Sequence, residues 1–114
     1  MNAKKTPSPR ELQLLALIVT ERNGREIAKL FQKETGQRLP YGTVYATLKL
    51  MEEAGWVSAK DELRDRDRRW VRLFRITGAG TKALNRGREF YRDLADFNPT
   101  EEEPANVVVE GGRA

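Results

Sequence analysis

The apolar positions of this chain change period twice. From Leu12 to Met51 they recur every three or four residues, from Trp56 to Ile76 they crowd into two short runs, and from Ala83 they return to helical spacing. A period near 3.6 marks a helix with one buried face, and a short run of branched and aromatic residues marks a strand. Ser8-Pro9-Arg10-Glu11 opens the first helix with a hydroxyl at the cap, proline at the first helical position and glutamate three after the serine. Leu12, Leu15, Ile18 and Val19 form its stripe, which Leu14 and Leu17 widen, and Asn23-Gly24 reads as its stop. A second helix is expected from Arg25 to Thr35, with Ile27, Leu30 and Phe31 inward, Lys29 and Lys33 outward, and Gly36 as a left-handed cap.

The third helix, Tyr41 to Ala54, places Val44, Leu48 and Met51 inward, with Tyr41, Tyr45 and Glu52 flanking and Gly55 ending it. With a tight turn through Gln37 to Pro40, these helices outline a helix-turn-helix. Trp56 to Glu62 and Arg69 to Ile76 read as strands bridged by a polar tip, Leu63 to Asp67, and so as a wing. Trp56 is expected in the core and Trp70 in wing packing. Thr77 caps a fourth helix that reaches Phe97, where Asn98-Pro99 breaks it. Its apolar residues form two lines, Leu84, Tyr91 and Ala95 beside Ala83, Phe90, Leu94 and Phe97, wider than the ~100° stripe a helix needs for its own small domain. The excess predicts a homodimer, with Leu84, Phe90, Tyr91, Leu94 and Phe97 at the interface. A monomer burying both lines against the first helix is the alternative.

The fold class is therefore mainly α with a small β-hairpin (α+β). A flexible basic arm over 1–7 precedes a winged helix-turn-helix over 8–76, a long C-terminal dimerisation helix over 77–97 and a disordered acidic tail over 98–114.

Composition narrows the function. With no cysteine and no histidine among 114 residues, the commonest metal ligands and the commonest general base are missing, so no cofactor is expected. Gly78-Ala79-Gly80 lacks the Lys-Ser/Thr of a phosphate loop, and no enzyme is expected. No apolar run approaches the ~20 residues that cross a bilayer, which makes a cytoplasmic protein the expectation. The formal charge of +4 is unevenly placed: residues 98–114 carry −3 and the rest +7. Surplus lysine and arginine attract polyanions, which makes nucleic acid, double-stranded DNA included, or an anionic membrane surface the physical candidates, beside a surface that is merely solvated.

The charges and small residues sit where such a partner would be met. Opposite the apolar stripe of the third helix lie Gly42, Thr43, Ala46, Lys49, Leu50 and Glu53, a low surface able to approach a groove floor. Thr43 can donate to a phosphate or base, Ala46 can meet a thymine methyl, Tyr45 can reach the backbone with its hydroxyl, and Lys49 adds charge. Arg64, Arg66, Arg68 and Arg69 fall within six residues at the hairpin tip, interrupted by Asp65 and Asp67.

Gly42-Thr43-Val44-Tyr45-x-x-Leu48-x-x-Met51-Glu52-x-x-Gly55-Trp56-Val57, followed by a basic strand into Phe74-Arg75-Ile76-Thr77-x-x-Gly80, resembles the PadR family of bacterial transcriptional regulators across about residues 8 to 97. The resemblance implies a homodimer built through the C-terminal helix that represses by binding a two-fold symmetric operator. It carries DNA contact onto Thr43, Tyr45, Lys49 and the wing arginines. The chain departs from the family pattern in its Arg-Asp repeat at the tip, where glycine or proline is common, in Val71-Arg72-Leu73, where an Arg-Lys pair is common, and in a short C-terminal part. Some relatives bind small aromatic effectors at the dimer interface; no residue here specifies one. Two other readings fit the same residues: a winged-helix module whose fourth helix binds a partner protein, and a non-specific architectural DNA-binding protein.

Overall fold

A computed structural model describes residues 6–97; the expected tail and most of the expected arm lie outside them. The elements run α1 (Pro9–Leu17), β1 (Arg22–Asn23), α2 (Gly24–Thr35), α3 (Tyr41–Glu53), β2 (Val57–Leu63), β3 (Trp70–Ile76) and α4 (Gly78–Asp96). Leu14, Leu15, Ile18, Ile27, Val44, Leu48 and Met51 are buried to 1% exposure or less and form a core to which Phe31, Trp56, Phe74 and Leu84 belong.

The expected capping box at α1 is present, with the Ser8 hydroxyl accepting from the Glu11 amide at 3.2 Å and the Glu11 carboxylate accepting from the Ser8 amide at 2.8 Å. Ahead of it, Pro7 is not part of a loose arm. It is fully buried, its carbonyl accepts the Tyr91 hydroxyl at 2.8 Å, and it packs with Leu12 against Gly87 of α4. Proline before the cap can act as the apolar half of a staple, here onto a different helix.

The first helix is shorter than its apolar pattern suggests, ending at Leu17. The Arg22 side chain donates to the Leu17 carbonyl at 2.7 Å and the Ile76 amide to that of Ile18 at 2.9 Å, so carbonyls at the helix end are satisfied by tertiary partners. Asn23 is a start signal and not a stop. Its side chain accepts from the Glu26 amide and the Glu26 carboxylate accepts from the Asn23 amide, both at 2.8 Å, closing a second capping box on α2. Asn23→Ala should therefore lower unfolding free energy by about 1 kcal/mol in a urea titration, a typical cap loss.

Arg22 and Asn23 also pair antiparallel with Phe74 and Leu73, making a third strand beside the expected hairpin, in the order β1-β3-β2. β2 and β3 pair from Val57↔Ile76 to Leu63↔Trp70. Gly36 and Gly55, with φ of 75° and 86°, end α2 and the turn after α3 in the left-handed region, as their positions predict. The α3–β2 and β3–α4 junctions lock together: the Thr77 hydroxyl donates to the Gly55 carbonyl at 2.6 Å and accepts from the Gly80 amide at 3.0 Å, while the Thr77 amide donates to the Trp56 carbonyl at 3.0 Å. The wing is thereby fixed to both α3 and α4.

Candidate nucleic-acid interface

α3 begins at Tyr41 after Pro40, with no side-chain cap, and its buried side is Val44, Leu48 and Met51. Gly42, Ala46, Lys49, Leu50 and Glu53 are exposed and Thr43 is half-buried, so the low outward face expected from the sequence exists. Leu50, 61% exposed, is its largest apolar group.

Tyr45 is set at the seam between helices and wing. Its ring lies 6.0 Å from that of Phe74 on β3 and leans over Gly24 at the start of α2, where an added Cβ would fall on the hydroxyl and 2.5 Å from Cζ. A side chain at residue 24 would push the ring outward into solvent. Gly24→Ala should leave the fold within about 1 kcal/mol of wild type in a urea titration. It should weaken duplex binding by about tenfold in fluorescence anisotropy, since the tyrosine loses its seat.

The hairpin tip is ordered by one of its own ion pairs. Arg64 forks onto Asp67, with Nη2 to Oδ2 at 2.6 Å and Nε to Oδ1 at 3.3 Å; the Arg69 amide donates to the same carboxylate at 3.2 Å. Partial desolvation at the turn opposes ionisation of Asp67, but these hydrogen bonds and the charges of Arg64 and Arg66 outweigh it and hold the carboxyl below its ordinary range. Arg68 takes a φ of 58°, the left-handed conformation that glycine adopts without strain. Of the four expected tip arginines, Arg64 is thus committed to the turn. Arg66, Arg68 and Arg69 make no side-chain ion pair among the described residues.

Two clefts flank Tyr45. One, of about 430 Å³, is bounded by Lys49, Glu52, Glu53, Arg72 and Phe74. The other, of about 560 Å³, lies between the wing and the start of α2 and gathers Arg25, Arg64, Arg66, Arg69 and Arg72. Arg25 and Arg72 are absent from the sequence-derived site. The capping box at Asn23 fixes the helix start and so places Arg25 in the first turn of α2, while the two-residue alternation Trp70, Arg72, Phe74 puts Arg72 on the inner face of the wing. Trp70 does not pack in the wing; it is 70% exposed.

The five residues assigned to a dimer interface divide. Leu84 is 3% exposed and belongs to the chain's own core, because the first half of α4 packs on α1. Tyr91 is half-buried, its hydroxyl held by Pro7. Phe90, Leu94 and Phe97 are 50%, 59% and 54% exposed, a stripe at spacings of four and three. Among the described residues no group of three or more acidic side chains is placed to hold a metal ion, and no helix is long and apolar enough to cross a membrane.

A low-profile third helix beside a hairpin tipped with arginines defines a winged-helix DNA-binding protein. The comparisons agree. The model of the transcriptional regulator PadR-like family matches residues 12–86, and the chain belongs to that family. A transcriptional regulator from Thermoplasma acidophilum is 30% identical, with 75% of this chain and 85% of that one aligned at a TM-score of 0.65. PadR family regulators from Eggerthella lenta and Bacillus cereus share the fold at TM-scores of 0.68 and 0.68, with identities of 16% and 17%, covering 76% and 76% of this chain and 75% and 84% of theirs. No curated protein matches significantly.

Proposed function

We propose that the chain is a homodimeric, sequence-specific repressor that reads a palindromic operator and has no catalytic role. The observation that carries this reading is the position of Tyr45, which borders both the Lys49 cleft and the arginine cleft, so that α3 and the wing flank one continuous surface, mixed in charge beside Lys49 and basic on the wing side. Thr43, Ala46 and Lys49 face a major groove, Tyr45 meets the backbone at its edge, and Arg66, Arg68 and Arg69 follow the backbone into the adjacent groove. Phe90, Leu94 and Phe97 join two copies, which sets two α3 helices about one helical turn, ~34 Å, apart on the duplex. Occupancy of a promoter then blocks transcription. A cytoplasmic location with residence on the nucleoid follows from that role.

The test is fluorescence anisotropy of a labelled duplex from upstream of the protein's own gene, beside a scrambled duplex, at two salt concentrations. The native duplex should bind more tightly at both salts, with affinity falling steeply as salt rises. Lys49→Ala should weaken binding and reduce the slope of log affinity on log salt by about 1. Equal affinity for both duplexes that vanishes at the higher salt would leave a non-specific architectural protein.

A further inference from the structure

Trp70 is the most exposed of the large apolar side chains described, and it sits on a face whose other residues are already engaged. Residues 70, 72 and 74 of β3 share that face. Phe74 is buried beneath Tyr45. Arg72 reaches Glu52 of α3 at 3.7 Å and Asp61 of β2 at 3.0 Å. Trp70, one step nearer the tip, carries the same face beyond the edge of the core, and no ring or guanidinium among the described residues covers its indole.

The indole forms a wall of the 560 Å³ cleft, and no carboxylate lines that cleft. Arg64 and Arg72 are neutralised by Asp67 and by Asp61 with Glu52. Arg25 lies 5.7 Å from the centre of the Tyr41 ring and has no ion pair among the described residues, nor have Arg66 and Arg69. Three guanidinium groups without an ion pair among the described residues thus line the same cleft as one uncovered aromatic plane. A simple anion would satisfy the charges and leave the indole wet; a hydrocarbon would cover the indole and strand the charges. A polymer that alternates phosphate with an apolar ring satisfies both.

Resting on the DNA-binding reading above, we propose that this cleft seats one sugar–phosphate strand of the bound duplex, with phosphates on Arg25, Arg66 and Arg69 and a deoxyribose face covering Trp70. Tyr45 borders the cleft on the α3 side, so the strand held here continues onto the recognition helix. Trp70 thereby supplies a contact that depends on shape and not on charge.

The two tryptophans make the test direct, because Trp56 is 4% exposed and acrylamide quenching reports Trp70. The full chain is titrated with the duplex it binds, following anisotropy and quenching together. Quenching should fall as the duplex binds. Trp70→Ala should weaken binding about tenfold with the salt slope unchanged, Trp70→Phe should restore most of that loss, and Arg66→Ala or Arg69→Ala should each lower the slope by about 1. Wild-type protein that binds the duplex with Trp70 still open to acrylamide, and with Trp70→Ala binding equally well, would overturn the strand assignment alone. Protection of Trp70 by millimolar AMP as complete as that by the duplex would also overturn it. Failure of wild-type protein to bind any duplex would overturn the DNA reading itself, and the inference with it.

Discussion

Gly80→Ala should lower the stability of the domain by about 3 kcal/mol, read as a fall in the urea midpoint at constant slope. Alanine in place of glycine inside a helix ordinarily adds stability, by roughly 0.5–1 kcal/mol. Here the added methyl has no room: a Cβ at Gly80 would fall on the Trp56 carbonyl oxygen, 3.0 Å from its carbon and 2.7 Å from Ile76 Cγ1. The oxygen is main chain and is held by the Thr77 amide, so it cannot swing aside as a side chain would. Either α4 lifts from the α3–β2 junction or the Thr77 bonds break, and both release the wing. Gly78, with nothing within 4 Å of an added Cβ, supplies the control; Gly78→Ala should leave the midpoint unchanged or raise it. An unaltered midpoint in Gly80→Ala would mean that α4 does not bear on Trp56 as described.

The second large effect concerns assembly. In Phe90→Glu/Leu94→Glu two charges enter a stripe that this chain leaves exposed by half or more. If that stripe joins two copies, each carboxylate is buried there without a partner, and sedimentation should show monomer at concentrations where wild type is a dimer. Operator affinity should fall by roughly 10²–10⁴, because each half-site then binds without the other. The core should be unharmed, since neither residue contributes to it, and the thermal midpoint of the monomer should not drop in proportion. A variant that stays dimeric would place the interface elsewhere; a wild-type protein that is monomeric on its operator would remove the two-fold reading altogether.

Much of the framework is legible along the chain because local chemistry dictates it. Ser8 to Glu11 can close only one kind of cap, Gly36 and Gly55 stand where a left-handed residue is needed, and the Val44, Leu48, Met51 spacing settles which side of α3 is buried. The misread positions are those where two local signals compete or a distant partner decides. Asn23-Gly24 serves equally as a helix end or, with Glu26, as a helix start; the Arg22 side chain, folding back on Leu17, selects the second. Pro7 looks like arm until Tyr91, far along the chain, bonds to it. Periodicity sorts the apolar residues of α4 into two lines, whereas burial follows neither line whole: Ala83, Leu84 and Gly87 are buried and Phe90, Leu94 and Phe97 are exposed by half or more, although Leu94 and Ala83 share a predicted line. The candidate site shows the same contrast: the outward face of α3 follows from a 100° step, but the cleft uniting Arg25 with the wing arginines needs the third strand to set their relative positions.

Hydroxyl-radical footprinting of the full chain on the duplex upstream of its own gene bears most directly on the claim that α3 and the wing together grip a specific DNA site. Two protected patches related by a dyad are expected, their centres about one helical turn apart, each flanked by protection from the wing and weakened by Lys49→Ala. Protection spread evenly along the duplex, or no protection at concentrations where the protein shifts DNA, would contradict it.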